Sequence, residues 1–372
     1  MARDGARPDV SIVTSGHDVA DARLHREVAA FVRAGLTVEV LGLGDPSAGP
    51  ASASVSTHPR GGAGRRALDA LVRPWQARGR VIVVLDPDPV PSVLAQRLLR
   101  RRPVVVDVHE DYRALLRDRS WASGPVGGVA RGVAQVVSRA AARGDLTVVA
   151  DDHVPPGTAR NRLVVRNLPD VSFLPEPGPR DPEPRAVYVG DVRASRGLFT
   201  MLDAVAVAPA WSLDVVGPVA AADQAELDRR LSDRSLGQRV RLHGRKPPAQ
   251  AWEVARGAWA GLLLLAPTPA FVDAVPSKLY EYLACGLAVV ATDLPRQAAL
   301  VAESGAGEVV TAGSETGAAA GAVLRGWADD PAALDVLRES GVAWTAQRAG
   351  EPTPYDVLAQ RVAALVRSTH PG

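Results

Sequence analysis

PSKLYEYLACGLAVVATD occupies residues 276–293. Proline and serine lead into a helical stretch, which a glycine ends before an apolar run that reads as a buried strand. Ser277 is a candidate N-cap and Gly286 a candidate C′ residue. Leu279 and Leu283, four apart, would face a sheet, while Lys278 and Glu281, three apart, share another face. The unbonded N–H groups of a helix head form an anion site, and Lys278 adds a full positive charge there. Glu281, near that end, stays ionised and can accept hydroxyl hydrogen bonds. Asp273 lies eight residues upstream, on the loop after the apolar run AGLLLLAP (260–267). An anion beside a polyol is what a nucleotide diphosphate-sugar presents. An ordinary capped helix with a surface Lys–Glu pair has the same spacing.

Working outward, strand–helix alternation fills the chain. DVSIVTS (9–15), LTVEVLGLG (36–44), RVIVVLDPD (80–88), PVVVDVHED (103–111) and DLTVVAD (145–151) read as strands, with helical stretches such as 21–35 and 91–102 between them. Alternation of this kind predicts parallel sheets covered on both faces. Residues 171–185, VSFLPEPGPRDPEPR, carry five prolines and read as an interdomain linker, because proline lacks an N–H and fixes φ. The alternation then restarts at RAVYVGD and runs to a last helix over about 353–368. Two doubly wound domains facing across a cleft are therefore expected, with ligands outside the carboxyl ends of the strands.

Composition narrows the classes. The chain has 372 residues, long for one core and sufficient for two. A formal net charge of +2 gives no case for a nucleic-acid binder. The first 175 residues are basic and the remainder acidic, so an acidic partner or an anionic membrane surface is a candidate for the first half, against the plainer reading of a solvated arginine-rich surface. A single cysteine, Cys285, fits a reducing compartment. No apolar run approaches the ~18 residues of a membrane span, and the N-terminus lacks the apolar core of a signal peptide. A cytoplasmic protein, with peripheral contact at the inner membrane face as a variant, is the expectation.

Three further stretches carry chemistry. In VYVGDVRASRG (187–197), Gly190 ends a strand and Arg193 and Arg196 precede a helix, where they could clamp a diphosphate. In VVVDVHEDY (104–112), His109 ends a strand among Asp107, Glu110 and Asp111, placed for hydrogen bonding or proton transfer. A structural histidine remains open there. No second histidine stands at ligand spacing and no CxxC is present, so no metal is expected. In TSGHDVADARLHRE (14–27), a strand ends in Ser15, Gly16 and His17, and Asp21 and Arg23 open a helix. Asp21 reads equally well as an N-cap.

Together these stretches resemble glycosyltransferase family 4, bacterial retaining enzymes of the GT-B architecture, over nearly the whole chain. PSKLYEYLACGLAVVATDLP resembles the family's donor-binding helix, Asp273-x7-Glu281 its Glu-x7-Glu motif, VYVGDVRASRG its phosphate-binding loop, and DVHEDY the loop that brings a histidine to the reacting sugar. DARLHRE, LDPDP and VVRNLPD also match recurring segments. The resemblance implies an acceptor-binding domain at 1–175, a nucleotide-sugar-binding domain at 184–350, and a C-terminal helix at 351–372 returning to the first domain. It implies His109 beside the anomeric centre and Asp273 on the donor sugar, both catalytic. Glu281 would bind the ribose, and Arg196 with either Arg193 or Lys278 the diphosphate. Gly190, Ser277, Leu279 and Arg245 complete the donor side, and Ser15, Gly16, His17, Asp21 and Arg23 the acceptor side. The implied reaction moves a sugar from a UDP- or GDP-sugar to a hydroxyl of a saccharide, lipid-linked or natural-product acceptor, without cofactor or metal. A sugar-nucleotide 2-epimerase and a catalytically weak sugar-nucleotide-binding subunit are the alternatives. Three departures stand out: Asp273 for the usual Glu, Asp191 after Gly190 where Arg is frequent, and SGH in place of a glycine pair.

Overall fold

The computed structural model describes residues 7–59, 61–109, 132, 135–166, 168–169, 174–274, 277–348 and 350–369. Glu110 and Asp111 of the DVHEDY loop and residues 171–173 lie outside these. The chain forms two compact units, Met1–Asn167 with Pro352–Gly372, and Leu168–Glu351.

In the first unit, seven parallel strands run β1 (Val10–Asp18), β2 (Val38–Leu43), β3 (Ser54–His58), β4 (Val81–Val84), β5 (Val104–Val108), β6 (Leu146–Val149) and β7 (Arg162–Val164) along the chain. Their order across the sheet is β3-β2-β1-β4-β5-β6-β7. Strands such as VIVV and VVVDV are buried on both faces, which is why they are apolar without alternation. Helix α1 (Ala22–Arg33) and the C-terminal helix Pro354–Ser368 cover one face. That last helix opens with a capping box, Thr353 with Asp356, and Arg33 on α1 binds Asp356 at 2.8 Å. Its Tyr355, Leu358 and Val362 are buried in the first unit's core.

The second unit repeats the plan. Strands β8 (Arg185–Val189), β9 (Ser212–Val216), β10 (Val240–Gly244), β11 (Ala260–Leu263), β12 (Ala288–Thr292) and β13 (Gly307–Val310) are parallel, in the order β10-β9-β8-β11-β12-β13. In each sheet the order reverses between the first and fourth strands. Loops leaving those two strands in opposite senses open a crevice at their carboxyl ends. The two crevices lie after β1 and β4, and after β8 and β11.

The proline-rich stretch departs from its expected role. The chain passes between the units at Asn167–Leu168 and Glu351–Pro352. Residues 174–184 form neither helix nor strand, but they are fastened to the second unit. Trp259 Nε1 donates to Asp181 O at 2.7 Å, Arg180 stacks 4.3 Å from the Trp259 ring, and buried Arg338 donates to Gly178 O at 2.9 Å. Prolines here shape a docked strap rather than a free linker.

Truncating a C-terminal-helix anchor should weaken the first unit alone. Leu358→Ala is expected to cost about 2–5 kcal/mol. Hydrogen exchange should then show faster exchange in β1, β4 and α1 with β8–β12 unchanged; equal loss in both sheets would contradict this.

Candidate functional site

In the second unit, the crevice is built on glycines that let chains approach closely. Gly190 follows β8 with φ +142°, and a Cβ there would lie 2.4 Å from Lys278 Cε and 2.9 Å from its Nζ. The missing side chain is what lets Lys278 lie across the strand end. Gly197 has φ +86°, and a Cβ there would meet Leu264 O at 2.2 Å. The Ala266 N–H also donates to Ser195 O at 3.0 Å, so the loops after β8 and β11 are stitched together.

Around this seam the cations gather on a tyrosine. Tyr188 is fully buried and donates to Asp191 O at 2.9 Å. Lys278 Nζ lies 5.7 Å from its ring centroid. Burial pushes the Tyr188 hydroxyl up, against the pull of neighbouring Arg196 and its hydrogen bond. The Arg196 guanidinium lies 5.8 Å from the Phe271 ring, and its Nε is enclosed with no hydrogen-bond partner among the described residues. Arg193 instead turns to Asp191 at 3.0 Å, both partly exposed. Of the expected clamp, Arg196 and Lys278 come together on Tyr188, and Asp191 draws Arg193 off.

Helix Ser277–Ala284 carries Glu281, 4% exposed, and begins at Ser277. Leu279 is fully buried in the core. Burial, then the nearby Glu281, pushes the Cys285 thiol up, which makes it an inert core residue. Asp273 is exposed at the end of helix Pro269–Val272, and Arg245 is exposed on the loop after β10.

In the first unit, the crevice centres on two buried carboxylates. Asp86, after β4, accepts from Thr14 Oγ1 (2.5 Å), Ser15 N (2.8 Å) and Gly16 N (3.0 Å), and lies 3.0 Å from His17 Nδ1. Burial opposes its charge, but the bond to His17, the His17 charge, Thr14 and Gly16 outweigh it and hold the carboxyl well below its usual range. Asp107, on β5, is gripped bidentately by Arg23, with Nε at 2.5 Å and NH2 at 2.8 Å, and lies 3.5 Å from His109 Nδ1. Burial opposes its charge too, yet Arg23 and then His109 hold it well below the usual range. Burial, then the Asp107 charge, pushes the Glu27 carboxyl up, against the pull of Arg23 3.6 Å away.

For Asp21 the structure shows the N-cap reading left open above. Asp21 caps α1, accepting from Arg23 N at 2.9 Å and Leu24 N at 3.2 Å. Arg23 is 7% exposed and also donates to Val165 O and Tyr355 Oη, so it braces the floor beneath Asp107. The histidines do come together: His17 Nε2 and His109 Nε2 are 3.1 Å apart, though 92 residues separate them in sequence. Sequence reasoning passed over Asp86 and Tyr188. An acid closing the apolar run VIVVLD and a tyrosine two residues before the Gly190 turn were the available signals.

Asp86 and Asp107 bear on acid stability. Their folded values are depressed, so their contribution is present above the unfolded carboxylate range and is lost as pH falls below about 4. The first unit's thermal midpoint should drop between about pH 6 and about pH 3, and Asp86→Asn should flatten that drop while lowering the midpoint at neutral pH. An unaltered slope would contradict the assignment.

Comparison with known proteins agrees with this architecture. Residues 173–339 match the family model described as glycosyl transferases group 1. No curated protein matches the sequence at a significant level. Among solved structures, sucrose-phosphate synthase from Thermosynechococcus elongatus superposes with a TM-score of 0.69 at 16% identity, covering 97% of this chain and 99% of that one. HepE from Anabaena, in complex with UDP and glucose, gives 0.65 at 15%, covering 97% and 100%. WaaG, a glycosyltransferase involved in lipopolysaccharide biosynthesis, gives 0.66 at 15%, covering 95% and 99%. The chain has the two-domain GT-B fold, and its second unit carries the sequence match to glycosyl transferases group 1.

Proposed function

We propose that the chain is a retaining glycosyltransferase of the family 4 type, taking a sugar from a nucleotide diphosphate-sugar to an acceptor hydroxyl. The observation that carries this is the pairing of Lys278, laid across Gly190, with Arg196 beside buried Tyr188, at the crevice of the unit that matches glycosyl transferases group 1. The complex of HepE with UDP-glucose supports a uridine nucleotide as the first donor to try.

In this reading Lys278 and Arg196 hold the diphosphate. Cleavage of the sugar–phosphate bond places negative charge on the leaving oxygen, and fixed cations stabilise it there most strongly because they need no reorganisation. Glu281 accepts from the ribose hydroxyls and exposed Asp273 from hydroxyls of the donor sugar. His109 of the first unit serves the reacting sugar, and Ser15–His17 in the carboxyl-end half of β1 serve the acceptor. The cationic side chains supply the charge that a metal supplies elsewhere, so no metal is required.

Glu281→Gln should weaken nucleotide-sugar binding without unfolding the chain, since hydrogen bonds to a charged group are worth about 1.5–3 kcal/mol. Unchanged affinity by calorimetry would remove the ribose assignment. Arg196→Ala should lower turnover by about 10²–10³, with Asp191→Ala far milder; equal activities would move the phosphate clamp elsewhere. Turnover should persist in EDTA, and its loss with recovery on adding magnesium or manganese would contradict metal independence.

A further inference from the structure

The roles above leave the basic charge of the first half unused, and two helices of the first unit show where it gathers. Helix α2 (Ala63–Gln76) follows β3, and helix α3 (Val90–Arg100) follows β4. They lie side by side: Ser92 Oγ donates to Leu71 O at 2.7 Å, and the Arg100 guanidinium lies 4.8 Å from the Trp75 ring. Strand β4 divides its side chains between two faces, Val81 and Val83 toward α1, and Ile82 and Val84 toward Val90 and Val93 of α3. Ala77, just past α2, lies in the α3 cluster. Both helices therefore cover the sheet face opposite α1, and their outward residues share one outer surface.

On α2 the amphipathic pattern is inside out. Leu68, Leu71, Val72 and Trp75 recur at i, i+3, i+4 and i+7, the spacing of a core-facing stripe. The buried residues are instead Asp69, Ala70 and Pro74, while Leu68, Leu71 and Val72 are 55%, 54% and 44% exposed. Helix α3 adds Leu98 and Leu99 at 77% and 74%. Single exposed apolar residues are ordinary, but four of the five exposed leucines among the described residues fall on these two helices, which makes them a patch.

Cations edge this patch. Between Ala63 and Arg102 the chain carries nine arginines and three aspartates. Asp69 and Asp86 are buried, and Asp88 is bound to Arg66 at 2.5 Å. Arg100 and Arg101 follow Leu99 directly, are exposed, and are not ion-paired among the described residues. A second copy meeting this face about a two-fold axis would set arginine against arginine. A nucleic acid would match the arginines and leave the leucines without an apolar partner. Acidic headgroups over an acyl layer satisfy both. Among the described residues no helix is long and apolar enough to cross a membrane, so such contact lies along the surface.

We propose that the α2–α3 face docks on an anionic lipid bilayer. Leu68, Leu71, Val72, Leu98 and Leu99 enter the boundary between headgroups and acyl chains, and Arg100 and Arg101 bind acidic headgroups. The docking stands whether or not the chain transfers sugar.

The test is flotation of the intact chain with vesicles of phosphatidylcholine alone and of an equimolar mixture of phosphatidylcholine and phosphatidylglycerol. The wild type should float with the mixed vesicles and not with the neutral ones, and added salt should weaken the binding. Arg100→Glu with Arg101→Glu, and separately Leu98→Ser with Leu99→Ser, should each lower the partition coefficient about tenfold or more. All four side chains are exposed, so both variants should keep the wild-type thermal midpoint. Val336→Ser, at an exposed position in the second unit, should leave binding unchanged. Absence of wild-type binding, or equal binding to the two vesicle types, overturns the proposal and needs no variant to fold. Binding indifferent to either double variant overturns it as well. Self-association that is lost in Leu98→Ser with Leu99→Ser, without vesicle binding, would make the face an interface between copies and overturn the lipid assignment.

Discussion

A buried carboxylate must find a cation, and in the first unit that constraint shapes everything at the sheet's carboxyl edge. Asp86 and Asp107 stand at the ends of neighbouring strands, 3% and 1% exposed. Asp107 takes Arg23, which fixes the first turn of α1 and reaches on to Tyr355 of the C-terminal helix. Asp86 takes the N–H groups of Ser15 and Gly16, the Thr14 hydroxyl and His17, all in the irregular carboxyl-end half of β1, where the register shifts after Val13. Two histidines far apart in sequence meet as a result. The polar network is also a stabilising one only while each member stays paired, since removing one partner leaves a desolvated charge behind.

The second unit reaches the same place on the same topology by different means. Its crevice is shaped by absent side chains: Gly190 yields to Lys278, and Gly197 yields to the backbone at Leu264. Where the first unit holds acids and imidazoles, the second presents Lys278 and Arg196 around Tyr188.

Much of this was legible in the sequence. Parallel strands declare themselves by unbroken apolar runs, and the repeat of strand and helix gives two doubly wound sheets. The helix Ser277–Ala284 was readable from its 3- and 4-residue spacings and from Gly286 beyond its end, with φ +70°. What escaped was whatever depends on distant pairing. Arg23 looks ligand-facing in one dimension, yet Asp107 draws it inward from the first turn of α1. Arg193 and Arg196 look equivalent until Asp191 draws one of them aside. Prolines at 175–184 read as a free linker because sequence does not reveal that Trp259 and Arg338 bind that backbone. His17 and His109 carry no shared spacing, so only the strand order β1-β4-β5 discloses their contact.

The central claim is that the crevice after β8 and β11 holds a nucleotide diphosphate-sugar. Native mass spectrometry of the intact chain against a panel of nucleotide sugars, in metal-free buffer, tests it most directly. The account predicts a single adduct per chain with one member of the panel, displaced by the matching nucleoside diphosphate and lost when Lys278 is replaced by Ala. Absence of any adduct across uridine, guanosine and adenosine donors, or an adduct indifferent to Lys278, would contradict it.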